Sequence, residues 1–147
     1  MLVAAGPALH AQKLDSAVLN TVTDGDDKDH DTCVWATVTT ADGASVIATI
    51  KNGDCGGDNT THYDDHSTHD IEFKIEGRPT RDAAKCFKVH LWQKTHGGRG
   101  HDRWIVDEAT VTLYFDDGLN LTAHTGKFTL ESNSEDDAPS TDFNSPC

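Results

Sequence analysis

The stretch DIEFKIE, residues 70–76, shows the pattern that decides the fold of this chain. Its apolar residues Ile71, Phe73 and Ile75 alternate with charged residues. Because successive side chains of a β-strand point to opposite faces, this alternation predicts a strand with one face buried and the other in water. The stretch FKVHLW, residues 87–92, repeats the pattern, with an apolar residue at every second position.

Similar runs recur along the whole chain. They are rich in Val, Ile, Thr and aromatic residues, and they cover residues 17–23, 33–40, 45–51, 70–76, 86–93, 108–115 and 120–130. Two Asp-Gly pairs, at residues 42–43 and 117–118, supply the turn chemistry that closes hairpins. Only residues 78–85 are expected to form a short helical turn. The sequence therefore predicts an all-β protein, an antiparallel β-sandwich of about seven to eight strands.

Length and charge limit the possible functions. The chain has 147 residues, which is enough for one domain with a core of its own. Its formal net charge of −13 repels phosphate backbones, so nucleic acid is not an expected partner. No apolar run approaches the roughly 20 residues that a membrane-spanning helix needs, so we predict no transmembrane segment.

We expect three regions along the chain. Residues 1–11 are apolar and end in a small residue, which favours the remnant of a secretory signal, the alternative being a floppy N-terminus. Residues 12–130 contain the predicted strands and form the β-sandwich domain. Residues 131–147 are polar and acidic without a strand or helix pattern, so we expect an acidic C-terminal tail that only Cys147 would pin back.

The cysteines point to disulfides. Cys33, Cys55, Cys86 and Cys147 form an even set without a C-x-x-C pair, so a zinc ribbon is unsupported and two disulfides are the natural interpretation. Three connectivities are open. In one of them Cys33 faces Cys86 across the core, and Cys55 ties a loop to Cys147.

Secretion would also make glycosylation relevant. The signal-like start and the even set of cysteines both predict a secreted, extracellular protein. Asn59-Thr60-Thr61 and Asn120-Leu121-Thr122 are acceptor sequences for N-linked glycans. We therefore expect Asn59 and Asn120 to be glycosylation sites if the host is eukaryotic.

Five aspartates lie within the eight positions from Asp24 to Asp31, in a loop between two predicted strands. Ca²⁺ takes six to eight oxygen ligands, and a loop dense in Asp and Gly can wrap such an ion. A second loop brings Asp102 to the same rim if the two strands that border these loops end together. The predicted Ca²⁺ ligands are Asp24, Asp26, Asp27 and Asp102, with Asp29, Asp31 and Asp107 as reserves. The alternative is a solvated acidic turn, whose charges water and salt would screen.

Nine histidines suggest a second metal hypothesis. His62, His66 and His69 have the spacing of a metal-binding helical face, but the neighbouring Gly and Asn residues disfavour a helix there. Imidazole ligands would favour Zn²⁺ or Cu²⁺, bound through His62, His66 and His101 if two long loops pack together. The alternative is a set of scattered surface histidines.

Three stretches together resemble a known family. The order VTDGDDKDHDTCVWATV, STHDIEFKI and KVHLWQKTHGGRGHDRWIVDEATV resembles small secreted β-sandwich domains related to the PLAT/LH2 and C2-like sandwiches. The similarity spans residues 14–115. The shared marks are Gly25, Asp26 and Asp27, then Thr68 and His69, then Asp102, Trp104 and Asp107.

The resemblance implies a non-catalytic binding module that holds Ca²⁺ and presents loops to lipid, protein or sugar. This chain departs from the family pattern at Asp24, where a smaller residue is expected, and at Arg103, which stands between the Asp and the Trp. The four cysteines are a further departure.

Signals for catalysis are weak. No Ser lies in a nucleophile elbow, and Gly97-Gly98-Arg99-Gly100 lacks the Lys-Ser/Thr pair of a phosphate-binding loop. Trp35, Trp92 and Trp104 would form either a sugar-stacking platform or part of the core. Trp35 and Trp92 are out of phase with some neighbouring apolar residues, so one of them is expected at the surface.

We therefore expect a secreted, non-catalytic, calcium-binding β-sandwich that recognises an extracellular glycan, protein or surface. One alternative is a structural subunit of an extracellular assembly or filament, in which the partner is a second copy of the chain. Another is a small hydrolase that acts on polysaccharide through a pair of carboxylates.

Overall fold

The computed structural model describes residues 12–28, 32–50, 64–95, 102–134 and 136–147. Within these residues the chain forms ten strands and one short helix. In chain order they are β1 (Leu14–Thr23), β2 (Thr32–Thr39), β3 (Val46–Thr49), β4 (Thr68–Glu72), β5 (Lys74–Ile75), α1 (Arg81–Ala84), β6 (Lys88–Thr95), β7 (Asp102–Phe115), β8 (Asn120–Thr125), β9 (Phe128–Ser132) and β10 (Ser140–Asn144).

The strands form two antiparallel sheets with one core between them. The first sheet has the order β4-β1-β7-β8, and β9 pairs with the first half of β7. The second has the order β10-β6-β2-β3-β5. Apolar residues that alternate inward from both sheets are fully buried, among them Leu19, Val34, Leu91 and Val111. The prediction of an all-β sandwich is confirmed, with ten described strands instead of seven to eight.

The stretch 70–76 crosses from one sheet to the other. Ile71 belongs to β4, which pairs with β1, whereas Ile75 belongs to β5, which pairs with β3. Phe73 lies between them and is buried. Its N–H donates to the carbonyl oxygen of Ala17 at 3.0 Å, which holds the crossover against the first sheet. The alternation of apolar and charged residues predicts correctly which side chains are buried. It does not indicate which strands the two halves of this stretch pair with.

The C-terminal segment contains a strand that the sequence pattern did not predict. Ser140–Asn144 forms β10 at the edge of the second sheet, where it pairs with β6. Phe143 packs against the core from this strand. Cys147 is disulfide-bonded to Cys86, with 5.1 Å between the two Cα atoms, so the expected pinning of the chain end is confirmed.

The pairing of Cys33 with Cys86 is wrong, and the register of the second sheet explains why. Cys33 of β2 lies opposite Lys94, at the far end of β6 from Cys86. Strand β10 runs antiparallel to β6 and therefore returns the chain end to Cys86. Cys33 is buried and is also disulfide-bonded. Cys55 lies outside the described residues.

The short helix is confirmed at the end of the sandwich where β1 begins. Thr80 caps it, since its Oγ1 accepts a hydrogen bond from the N–H of Ala83 at 3.1 Å. Arg81 forms an ion pair with Asp117 in the turn after β7. Among the described residues no helix has the length and apolar character needed to cross a membrane.

Candidate functional site

The acidic loop after β1 is held against the start of β7. The N–H of Asp24 donates to the carbonyl oxygen of Ile105 at 2.9 Å, and the N–H of Ile105 donates to the carbonyl oxygen of Asp26 at 3.1 Å. In the same ladder Thr23 lies opposite Val106. The end of β1 and the beginning of β7 therefore share one rim of the sandwich, which is the condition on which the predicted site depended.

An open cleft lies at this rim, which we call the acidic cleft. It has a volume of about 320 Å³ and is lined by Asp26, Asp27, Asp102, Arg103, Glu131, Ser132 and Asn133. Three of the four principal predicted ligands thus line one cleft. Asp102 is the most buried of them, with only 8% of its surface exposed.

Glu131 is a residue of the cleft that sequence reasoning missed. It follows Leu130 in β9, and it reaches the cleft because β9 pairs with the first residues of β7, where Arg103 lies opposite Glu131. The sequence shows an acidic residue at the end of an alternating run. Nothing in that run indicates that β9 returns to the start of β7 instead of continuing beside β8.

The fourth principal ligand, Asp24, faces a different neighbour. Its carboxylate forms an ion pair with Lys127, and His66 Nδ1 lies 4.0 Å from it. The hydrogen bond from Lys127 lowers the pKa of Asp24. Asp24 is not among the described residues that line the acidic cleft. The prediction that Asp24 joins the other carboxylates in one shell is therefore not supported by its side-chain contacts.

The rim also contains a second counter-ion. Arg103 Nε donates to Asp26 Oδ2 at 2.5 Å, and this hydrogen bond raises the pKa of the Arg103 guanidinium. Arg103, which stands out as a departure from the family pattern, therefore neutralises one of the predicted ligands. Together with Lys127, it lets part of the acidic loop fold without a bound ion.

The remaining predicted metal ligands divide into two groups. Asp107 lies exposed on β7, where its charge contributes to the raised pKa of Lys127. Asp29, Asp31, His62 and His101 lie outside the described residues. Among the side chains that the structure does describe, no three or more His, Cys, Asp or Glu residues form a group ready to hold a metal ion.

A set of buried polar side chains lies behind the acidic cleft. Gln93 Nε2 donates to Ser132 Oγ at 3.0 Å and to the carbonyl oxygen of Asp102 at 3.3 Å. Lys28 is fully buried, and its Nζ donates to the carbonyl oxygen of Thr32 at 2.8 Å. These bonds join β6 to β7 and β9 and join the loop after β1 to β2. They hold two residues that line the cleft, Asp102 by its backbone carbonyl and Ser132 by its side-chain hydroxyl.

A second feature lies on the outer face of the second sheet. Trp35 and Trp92 are cross-strand neighbours there, with ring centroids 6.1 Å apart and ring planes 9° from parallel. His90 packs beside Trp92 at 5.0 Å, and its Nδ1 is 2.6 Å from Asp142 Oδ1. Both tryptophans are partly buried rather than in the core. Trp104 is the core tryptophan, with none of its surface exposed.

One of the two candidate glycosylation sites is described. Asn120 begins β8 and is exposed, so its side chain is accessible to a modifying enzyme. Asn59 lies outside the described residues. Glycosylation of either residue stays a prediction.

We expect Lys127→Met to raise the pKa of Asp24 toward its ordinary value of 3.8, because the hydrogen bond from Lys127 is the main cause of the lowered value. A carboxyl with a lowered folded-state pKa stabilises the fold above its unfolded pKa, and that contribution is lost as pH falls through the folded value. The stabilities of wild type and variant should therefore differ above about pH 4 and converge at lower pH.

NMR titration of the carboxyl carbons measures the pKa directly. The matched control is Lys85→Met, which removes an exposed lysine near α1, at the other end of the sandwich. An Asp24 titration that is the same in Lys127→Met and in wild type would show that the ion pair is absent in solution.

Comparison with known proteins leaves the resemblance to a family as a prediction. Models of known protein families gave no match to this chain, and a search of curated protein sequences gave none either. The sandwich fold therefore stands on the strands and sheets themselves, and the PLAT/LH2-like and C2-like assignment is not tested by any relative.

Proposed function

We propose that this protein is a secreted, non-catalytic recognition module whose acidic cleft binds a calcium ion. The observation that carries the proposal is the convergence of four carboxylates from three separate segments. Asp26 and Asp27 come from the loop after β1, Asp102 from the start of β7, and Glu131 from β9. Like charges brought together in one cleft repel each other, and a divalent cation offsets that repulsion.

The donor chemistry of the cleft favours a hard cation. Its lining offers carboxylate, hydroxyl and amide oxygens, and no described His or Cys lines it. Oxygen ligands of this kind suit Ca²⁺, whereas Zn²⁺ and Cu²⁺ prefer nitrogen and sulfur. The described carboxylates do not form a finished cage, so binding would require side chains to rotate and Asp26 to exchange Arg103 for the ion.

A buried acceptor next to the cleft supports the same proposal. The oxygen Oε1 of Gln93 is buried and has no hydrogen-bond partner among the described residues, while the nitrogen of the same amide bonds to Asp102 and Ser132. Buried acceptors of this kind are normally satisfied by ordered water or by an ion. A hydrated cation in the cleft would bring water to this end of the sandwich.

Secretion is supported by the covalent structure. The Cys86–Cys147 disulfide closes a long loop, and Cys33 is disulfide-bonded as well. Disulfides of this structural kind form and persist in oxidising compartments. An extracellular location would also provide the millimolar calcium at which weak extracellular sites are filled.

A thermal melt tests the calcium site. We expect millimolar CaCl₂ to raise the midpoint relative to a chelator, because a ligand that binds only the folded state stabilises it by about 1.4 kcal/mol at ten times its Kd. Each kcal/mol shifts the midpoint by about 2–4 °C in a chain of this size. Calcium titration calorimetry on the same samples gives the stoichiometry and the affinity.

Substitutions inside and outside the cleft distinguish calcium binding at the cleft from a general effect of net charge on the calcium-dependent shift. Glu131→Gln and Asp27→Asn should reduce the calcium-dependent shift, since each removes one negative ligand. Asp82→Asn, an exposed change near α1 at the opposite end of the molecule, should leave the shift unchanged. A midpoint that is identical in calcium and in chelator would refute the site.

A further inference from the structure

The outer face of the second sheet presents a row of side chains that neither the core nor the acidic cleft uses. Along β6 the buried residues Val89 and Leu91 alternate with Lys88, His90, Trp92 and Lys94, which point to the other face. With a rise of about 3.3 Å per residue, this row extends for about 20 Å. We call it the β6 row.

A groove runs beside the β6 row. It has a volume of about 460 Å³ and is lined by Thr37, Thr39, Lys88, Val89, His90, Asp142, Phe143 and Asn144. Hydroxyl, carboxylate, amide and imidazole groups thus surround an open depression on a sheet face. The stacked pair of Trp35 and Trp92 continues the same face toward the acidic end of the sandwich.

The chemistry of this face matches an oligosaccharide. Indole rings pack against the C–H faces of sugar rings, and hydroxyl groups of sugars need nearby side chains that donate and accept hydrogen bonds. The centre of a protein–protein interface, by contrast, is depleted of charged residues. Here lysine, histidine and aspartate alternate with the aromatic rings, which favours a ligand rich in hydroxyl groups over a protein surface.

The charge of this face differs from that of the whole chain. The formal net charge of the protein is −13, yet the outer face of the second sheet carries Lys74, Lys88 and Lys94 against Asp142 and Glu76. Lys88 and Lys94 flank His90 and Trp92 at the two ends of the β6 row. A chain of sugars lying along the row would therefore meet Lys94 at one end and, at the other end, Lys88, whose charge also interacts with Asp42.

We propose that the outer face of the second sheet binds an acidic oligosaccharide along the β6 row. Trp92, supported by Trp35, stacks on a sugar ring. His90 and Asp142 bond to its hydroxyl groups, and Lys88 and Lys94 pair with the carboxylates of uronic acid units. This surface is separate from the acidic cleft, so binding does not require calcium.

Titration calorimetry with tetragalacturonate as the acidic probe and cellotetraose as the neutral probe tests the proposal. Wild type should bind tetragalacturonate in preference to cellotetraose. Trp92→Ala should weaken binding by about tenfold or more, as truncation of a central aromatic anchor does. Tyr114→Ala is the matched control, because it removes an exposed aromatic ring from the outer face of the first sheet and should leave the affinity unchanged.

A second pair of variants keeps the test independent of folding defects at the tryptophan. Lys88→Gln and Lys94→Gln should each lower the affinity for tetragalacturonate by about two- to fivefold. This loss should shrink as salt is raised, since exposed charges are screened.

Three results would overturn the proposal. The first is the absence of binding to tetragalacturonate by wild type, or equal affinity for cellotetraose. The second is loss of binding when a chelator is added, which would place the ligand at the acidic cleft. The third is self-association at rising protein concentration that Trp92→Ala abolishes, which would make this face an interface between copies of the chain.

Discussion

Trp104→Ala is expected to lower the free energy of unfolding by about 3–5 kcal/mol. Trp104 is completely buried near the start of β7, and its indole N–H donates to Thr23 Oγ1 at 3.0 Å. Truncation leaves a large cavity and deprives the buried Thr23 hydroxyl of its donor. Both losses act in the same direction.

Equilibrium unfolding in urea measures this change as a lower midpoint at constant slope. A loss of this size is a large fraction of the 5–15 kcal/mol that ordinary domains have, so Trp104→Phe provides a second, milder variant. It should lose the hydrogen bond and part of the volume, and its cost should lie between those of wild type and Trp104→Ala. Tyr114→Ala at the surface should change stability by less than about 0.5 kcal/mol.

A Trp104→Ala protein with nearly wild-type stability would mean that Trp104 is not the core tryptophan. The substitution also has a consequence for the acidic cleft. Trp104 lies two residues after Asp102, and the following residue, Ile105, holds the acidic loop through two backbone hydrogen bonds. Loss of packing at this point should therefore weaken the calcium-dependent stabilisation as well.

The strands were predictable because their signal is local. An alternation such as Val89 and Leu91 with Lys88 and His90 fixes which side chains face the core, whatever the neighbouring strand is. The partner strand is a non-local property. The crossover at Phe73 and the return of β9 to the start of β7 depend on register, which a single run does not encode.

In the candidate site, too, the local features were predictable from the sequence and the long-range contacts were not. The sequence predicted that Asp102 would join the loop after β1 if the two bordering strands ended at one rim, and Asp26, Asp27 and Asp102 do line one cleft. Their counter-ions were not predicted. Lys127 reaches Asp24 from the connection between β8 and β9, which is more than a hundred residues away in sequence and close only because both lie beside β7.

The strand at the C-terminus was missed for a related reason. Residues 140–144 have a weak alternation, in which only Phe143 is a large apolar residue that packs against the core. Such a segment does not order itself by burial alone. It is held by pairing with β6 and by the covalent bond of Cys147 to Cys86.

Replacement of Cys86 and Cys147 by serine is therefore expected to release β10 and to destabilise the fold by about 2–3 kcal/mol. The disulfide closes a loop with a sequence separation of 61 residues, for which chain entropy gives a stabilisation of about 4 kcal/mol. Part of this gain is offset, because Cys86 has a φ of 61°, in the left-handed region that costs a non-glycine residue about 1–2 kcal/mol. In the double-serine variant residue 86 can leave this conformation and recover that cost. The entropic loss is larger than the recovered cost, so the net effect is destabilising.

Hydrogen exchange measured by mass spectrometry, together with urea unfolding, distinguishes local from global effects. The amides of residues 140–144 should lose protection in the double-serine variant, whereas those of β2 and β6 in the sheet centre should keep most of theirs. Wild type treated with a reductant should behave in the same way if its other disulfide is left intact. Unchanged protection of β10 together with an unchanged urea midpoint would show that strand pairing and Phe143 alone hold the chain end, and that the disulfide is dispensable for this edge of the sheet.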